Sequence, residues 1–429
     1  MLPQMKLFDS AFLSSLVQEF RASMRGLVFD LCDDLRAHYQ RPAAALRLPV
    51  DYFRFVGESL KLEDYSSWKV VGWIEELNDL LYFIDLREQL RRERDRRGFA
   101  EAFLAECQEQ FYEHGYLDDL FPLREPEPGR FGQRLSALCA RLAWQATQES
   151  LGLVPGLPCE WLGQEKRRRW AVPFDLGPNF ERAEQPVCIA PGLEGAYLEP
   201  PLAFQKIAGR RAVRATLEIA CEEMAVRAGG KTFALYSTDR YPQWGWREVP
   251  PQWIRPTSAL WPDGLTLGPA LIYGKDKTPS RVAPAPSGVA DRIDRALAVI
   301  EAAWPEGAQL LGCLTARIVP LKAKGVVSFS YRHRPGLSFI NTFERDQLDL
   351  IDDLVHENSH HHLNLLLRKY VLYRRDRNRE IFYSPWRRSL RPLRGILHAT
   401  FTFTMGAILF ERLSSWAATG KAALTDQQI

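Results

Sequence analysis

Leu350-IDDLVHENSHHHLNLL-Leu367 contains His356-Glu357-Asn358-Ser359-His360, an H-E-x-x-H sequence in an apolar-flanked segment that reads as helix. Positions four apart on a helix share one face, one turn apart, so His356 and His360 point the same way. Two imidazoles presented like that can chelate one divalent metal. Glu357 is then close enough to act on a bound water or a substrate. His361 and His362 fall about 100° and about 200° round the helix from His360, which assigns them to the surroundings of the site or to the surface. Asp352, one turn before His356, could orient that imidazole through its carboxylate, or could equally be a solvated helix residue.

Six of the eight histidines lie between positions 333 and 398: His333, His356, His360, His361, His362 and His398. A third ligand must come from downstream. Glu380, His398 and Glu411 are the candidates, and spacing alone does not choose among them. A carboxylate some twenty residues after the pair fits a zinc peptidase in which Glu357 activates water, whereas a histidine gives a three-nitrogen site. Downstream of the pair, Ile381-FYSPWRRSLRPLRGILHATFT-Phe403 crowds Arg387, Arg388, Arg391 and Arg394 into a segment stiffened by Pro385 and Pro392. Guanidinium groups held rigidly beside a metal suit bidentate capture of a carboxylate.

The rest of the chain frames this segment. At 429 residues it exceeds one small core, and 46% apolar with 25% charged residues fits a globular protein. A formal net charge of +3 implies no strong field for polyanions, so no nucleic-acid partner is expected. Seven cysteines stand scattered without a C-x-x-C pair, as reduced thiols of the cytoplasm do. The N-terminal stretch has no long apolar core, and no run of eighteen apolar residues occurs. A cytoplasmic protein with no membrane partner is therefore expected.

The expected fold class is α+β, mostly helical. Residues 1–150 read as a helical region, with apolar faces such as Leu7-Phe8-Ala11-Phe12 and Trp73-Ile74-Leu77-Leu80. The mixed-sign run Arg87–Arg97 reads as a solvated helix face, and a further helix is expected near 131–149. Residues 151–287 read as loops and short strands that could bind a peptide. Strands are expected at Thr232–Thr238 and Leu271–Tyr273, a basic cluster lies at Lys166–Trp170, and Ser280–Gly288 reads as a linker. Residues 288–429 read as a C-terminal metal-binding domain built on the HExxH helix. It opens with an amphipathic helix over Val289–Trp304 that Pro305-Glu306-Gly307 ends. Strand-like runs follow at Gln309–Leu321, Gly325–Arg332 and Gly336–Asn341. Asn341 with Glu344 is expected to cap a helix starting about 342, and a last helix spans about 392–417.

Three blocks in this order resemble the HExxH-type peptide maturation family, the 2-oxoglutarate-dependent peptide β-hydroxylases of ribosomally made natural product pathways. They are Leu354-Val355-His356-Glu357-Asn358-Ser359-His360-His361-His362-Leu363-Asn364, Pro385-Trp386-Arg387-Arg388-Ser389-Leu390-Arg391-Pro392 and Gly395-Ile396-Leu397-His398. The chain departs from the family pattern at Asn358-Ser359 and at Arg388-Ser389-Leu390. The resemblance covers about residues 325–415. It implies Fe(II) held by His356, His360 and His398, with Arg387 and Arg391 on the carboxylate of 2-oxoglutarate. It also implies hydroxylation of a side chain in a precursor peptide, with succinate as co-product, and a role for Glu357 other than hydrolytic base. The competing expectation is a zinc metallopeptidase with Glu357 as general base.

Overall fold

The structure, a computed structural model, describes residues 9–92, 279–372 and 380–420 in full and shorter stretches between 98 and 275. Residues 93–97 of the charge run, much of 131–149 and the basic cluster at 166–168 lie outside the described residues. The fold is α+β and mostly helical. The chain divides into two compact units. One comprises Met1–Ala22, Ser66–Trp68 and Val249–Ile429, and the other Ser23–Tyr65 and Lys69–Glu248.

In the second unit, most of α1 (Ser10–Ala37) joins α2 (Gln40–Leu46), α3 (Val50–Ser59), a 3-10 turn (Leu62–Ser66) and α4 (Trp68–Arg92). Their core is aromatic: Phe53 stacks on Trp73 at 6.1 Å between ring centroids. Four strands, β1 (Trp170–Leu176), β4 (Val213–Ile219), β5 (Glu223–Ala228) and β6 (Lys231–Ser237), form an antiparallel sheet in that order. Between the first two in sequence, β2 (Ile189–Ala190) and β3 (Ala196–Tyr197) pair with each other. The strand expected at Thr232–Thr238 is β6.

The first unit holds the histidine-rich segment. Its sheet runs β10 (Pro279–Ala283), β9 (Ala270–Tyr273), β11 (Arg317–Lys322), β13 (Leu337–Asn341), β12 (Phe329–Ser330). Beside it, β7 (Gln252–Arg255) pairs β8 (Leu265–Leu267), and β8 joins β11. Strand β11 lies parallel to β8, β9 and β13, in register from Arg317↔Leu337 to Leu321↔Asn341. Its residues are buried from Arg317 to Leu321, as a strand covered on both faces requires. Helix α7 (Gln347–Lys369) packs on β13 and β12, and α5 (Val289–Ala303), α6 (Pro305–Leu314) and α8 (Leu393–Ala417) pack on α7. The α5 stripe Ile293, Ala296, Leu297 and Ile300 is buried, as its periodicity predicts.

Several local expectations are corrected. Gln309–Leu314 is helix, not strand: Pro305 ends α5 but also sits at the first position of α6, where its missing N–H costs nothing. Gly312 lets α6 approach closely, since a Cβ there would come within 2.3 Å of the Leu260 carbonyl oxygen. The linker expected at Ser280–Gly288 begins as β10, paired with β9. Of Gly325–Arg332 only Phe329–Ser330 pairs as a strand. Asn341 caps no helix. Its amide donates to the carbonyls of Ala323 and Val326 and its oxygen accepts from Phe343 N–H. Glu344 has φ +53°, so the backbone cannot enter a right-handed helix at 342. The cap falls on Asp346, whose carboxylate accepts from Asp349 N–H at 2.8 Å while Asp349 accepts from Asp346 N–H at 3.2 Å.

Removing the Asp346 carboxylate leaves the Asp349 N–H without its acceptor, while the backbone N–H at 346 keeps the Asp349 carboxylate. Asp346→Ala is expected to lower stability by about 1 kcal/mol, read as a lower urea midpoint with an unchanged slope. An unchanged midpoint would mean that packing alone fixes where α7 starts.

Candidate metal centre

Helix α7 is buried on nearly every side, and its polar residues are held individually. Asn358 Oδ1 accepts from the Thr315 hydroxyl at 2.9 Å, and the Ser359 hydroxyl donates to the Val355 carbonyl. His361 is buried, with Nε2 3.1 Å from the Ser338 hydroxyl of β13. His362 is buried edge-on against Phe401 of α8, with ring centroids 5.3 Å apart. Neither is a surface residue: sheet and neighbouring helix lie close enough to enclose the whole helix.

His356 and His360 share the remaining face, half-buried, with ring centroids 5.0 Å apart. Ligand-capable atoms of His356, Glu357 and His360 all lie within 4.8 Å of one another. Helix α8 brings a third imidazole to this group: His398 Nδ1 is 3.0 Å from His360 Nδ1. Two nitrogens each about 2.1 Å from one ion and at right angles to each other are about 3 Å apart, so the spacing fits shared coordination. Without an ion, one of the two ring nitrogens donates to the other. Glu380 is exposed just before β14 (Phe382–Ser384), and Glu411 is exposed on the last turns of α8.

Electrostatics favour ligand-ready imidazoles. Burial, reinforced by His398, His356 and His361, pushes His360 down to about 2. Burial also lowers His356, against the pull of Asp352 and with the push of Arg387. Burial takes His361 and His362 to about 4. Metal binding needs neutral imidazole, so these nitrogens need release no proton at pH 7. The donor set is nitrogen-rich and suits iron, zinc, nickel or copper. Glu357 is 2% exposed. Burial raises it to about 8, against the Ser330 hydroxyl of β12. Asp352 is half-buried and its charge is felt at His356, beside which the sequence puts it.

The arginines sit on a hairpin. Strand β14 pairs with β15 (Ser389–Arg391), joined by Pro385-Trp386-Arg387-Arg388. Ser384 is fully buried and shapes the turn: its carbonyl accepts from Arg388 N–H at 2.8 Å and its hydroxyl from Arg387 N–H. Arg388 takes φ +53° to close it. Arg387 is exposed and its charge reaches His356. Arg391 lies over the first turn of α8, where a Cβ on Gly395 would come within 3.2 Å of its Nε. Two aromatic residues border the group as well. Phe403 is 6.4 Å from the His356 ring, and Trp386 meets Phe403 edge-to-face at 5.3 Å. Periodicity carried no signal for Ser330, Ser338 or Phe403, since their roles depend on which strand or helix lands beside α7. Compared with known proteins, the chain matches no family model and no curated sequence.

Two opposed pH effects follow for the metal-free protein. The histidines are depressed from 6.5, so below that pH the unfolded chain binds protons that the native state does not, and stability falls with falling pH. Glu357 is raised from 4.5 to about 8, so in that window the native state holds the extra proton, and stability falls as pH rises. Glu357→Gln removes the second effect only. Its melting temperature is expected to exceed that of the parent increasingly from pH 5 to pH 8, in thermal scans with chelator present. Parallel curves would show Glu357 already ionised in the native state.

Proposed function

We propose that the protein is an iron and 2-oxoglutarate-dependent hydroxylase that modifies a side chain of a ribosomally made precursor peptide. The observation that carries this reading is the 3.0 Å approach of the His398 imidazole to His360, itself half of a pair of imidazoles that burial holds neutral. A hairpin bearing arginines stands next to them. His356, His360 and His398 would hold the metal. When bound, Fe(II) would supply the coupling of O₂-dependent 2-oxoglutarate decarboxylation, in which one oxygen atom goes to succinate as CO₂ leaves, to hydroxylation of a substrate C–H bond by the other.

This chain's own residues do the rest. Arg387, whose charge reaches His356, takes a 2-oxoglutarate carboxylate, with Arg391 as the second arginine of the segment. Asp352 biases His356 towards one ring orientation. Glu357, neutral below about pH 8, offers a carboxyl O–H as donor in a buried setting rather than a charge. On this reading the partner is a peptide met in the cytoplasm, not nucleic acid or a membrane. A second reading draws on the Glu357 oxygen, which lies among the imidazole nitrogens. It is a zinc peptidase with His356, His360 and Glu380 as ligands and Glu357 as base, but Glu380 is exposed.

Anaerobic Fe(II) titration, followed by turnover assays in air, separates the two. His398→Ala is expected to weaken Fe(II) binding by at least about tenfold and to stop 2-oxoglutarate-dependent succinate release, while Glu380→Ala matches the parent. Arg387→Ala is expected to raise KM for 2-oxoglutarate about tenfold or more. Loss of metal in Glu380→Ala but not in His398→Ala, with cleavage of a peptide, would establish the peptidase instead.

A further inference from the structure

Six of the twelve exposed large apolar side chains among the described residues fall within thirty positions: Ile381, Tyr383, Trp386, Leu390, Phe403 and Phe410. Isolated exposed apolar residues are ordinary, whereas a clustered set marks an interaction surface. Tyr383 and Leu390 are register partners across the β14–β15 hairpin, so they stand on one face of it, and they are 63% and 55% exposed. The next pair, Ser384 and Ser389, stands on the opposite face, where Ser384 is buried. Trp386 at the turn rests on Phe403, and Phe403 borders His356, so the aromatic surface reaches the imidazole group.

Charge narrows the occupant. Arg387 and Arg388 project from the same turn, both exposed. Neither forms an ion pair with a carboxylate among the described residues. Cationic groups set between apolar ones on a preformed turn complement a chain segment that carries an acidic side chain between apolar ones. A surface that begins at the reacting centre must admit substrate rather than seal it off.

We propose that the outer face of the β14–β15 hairpin, with Trp386, Phe403 and Arg388, docks the substrate peptide, and that the docked segment carries an acidic residue between apolar ones. This rests on the peptide reading above and deepens it. Arg388 recognises the acidic side chain, Tyr383 and Leu390 take one apolar residue, and the Trp386–Phe403 pair takes the other and directs the chain towards His356.

The test uses the full chain without metal, so that binding is read apart from turnover. The probe is a fluorescein-labelled nonapeptide in which two phenylalanines flank an aspartate, and the control has asparagine there. In fluorescence anisotropy the aspartate peptide is expected to bind at least about fivefold more tightly. Arg388→Glu is expected to abolish that preference without weakening the asparagine peptide. Tyr383→Ala/Leu390→Ala is expected to weaken both peptides about tenfold. Equal binding of the two peptides by the parent protein overturns the acidic assignment, whatever the variants do. Helix α8 is long and apolar enough to cross a membrane by length and composition alone, so phosphatidylglycerol vesicles form a further arm. Vesicle binding lost in the double variant, with no peptide binding, overturns the proposal in favour of a lipid surface. Self-association lost in that variant overturns it in favour of a second copy. Peptide binding by the metal-free chain, with no succinate release once Fe(II), 2-oxoglutarate and O₂ are supplied, would leave docking standing and remove the hydroxylase reading.

Discussion

The structure depends on keeping imidazoles uncharged inside one enclosed helix. Helix α7 carries four histidines in seven residues, and the protein closes over all of them to some degree. Water would hold such rings partly protonated near neutrality, and burial withdraws that option. What remains is a row of neutral nitrogens. One ring bonds to a strand, one packs on an aromatic, and two face outwards together. The chemistry available to the outward pair follows from that exclusion of water as much as from the motif.

Three neighbours enforce the exclusion. Strand β13, with β12 beside it, lies against α7, and β13 also supplies the Ser338 hydroxyl that steadies His361. Helix α6, whose Gly312 meets the Leu260 carbonyl on another side, packs on α7 and leads into Thr315, which locks Asn358. Helix α8 closes the remaining side and brings His398 with it. The third imidazole is thus a consequence of packing: the helix that lies along α7 also carries His398 to His360.

Much of this was legible in the residues. The α5 stripe, the α7 motif and the α8 span all carry helical periodicity, which depends on local spacing. The start of α7 was not, because Asn341 looks like a cap but spends its amide on the carbonyls of Ala323 and Val326, a partnership between segments distant in sequence. Gln309–Leu314 misled in the other direction: a short run of leucines reads as strand or helix equally well, and Pro305 decided it. In the site, His356 and His360 follow from helix geometry. That His398 rather than Glu380 stands beside His360 does not, since it depends on how two helices meet across an intervening hairpin. The burial of Asn358 and Ser359, polar residues within the motif itself, was likewise invisible to a pattern that records only what side chains are.

Ser384 has a wider consequence. One buried residue holds the hairpin turn by both its carbonyl and its hydroxyl, and a left-handed residue at 388 completes the loop. The shape of that loop is therefore written in its hinge points and hardly at all in the side chains it displays. Apart from Arg387, which the proposed reaction needs, displayed positions such as 386 can vary in descendants of this sequence without rebuilding the scaffold. The turn is in that sense a replaceable label on a fixed mount, where drift or selection can rewrite what the protein meets while leaving the buried helix untouched.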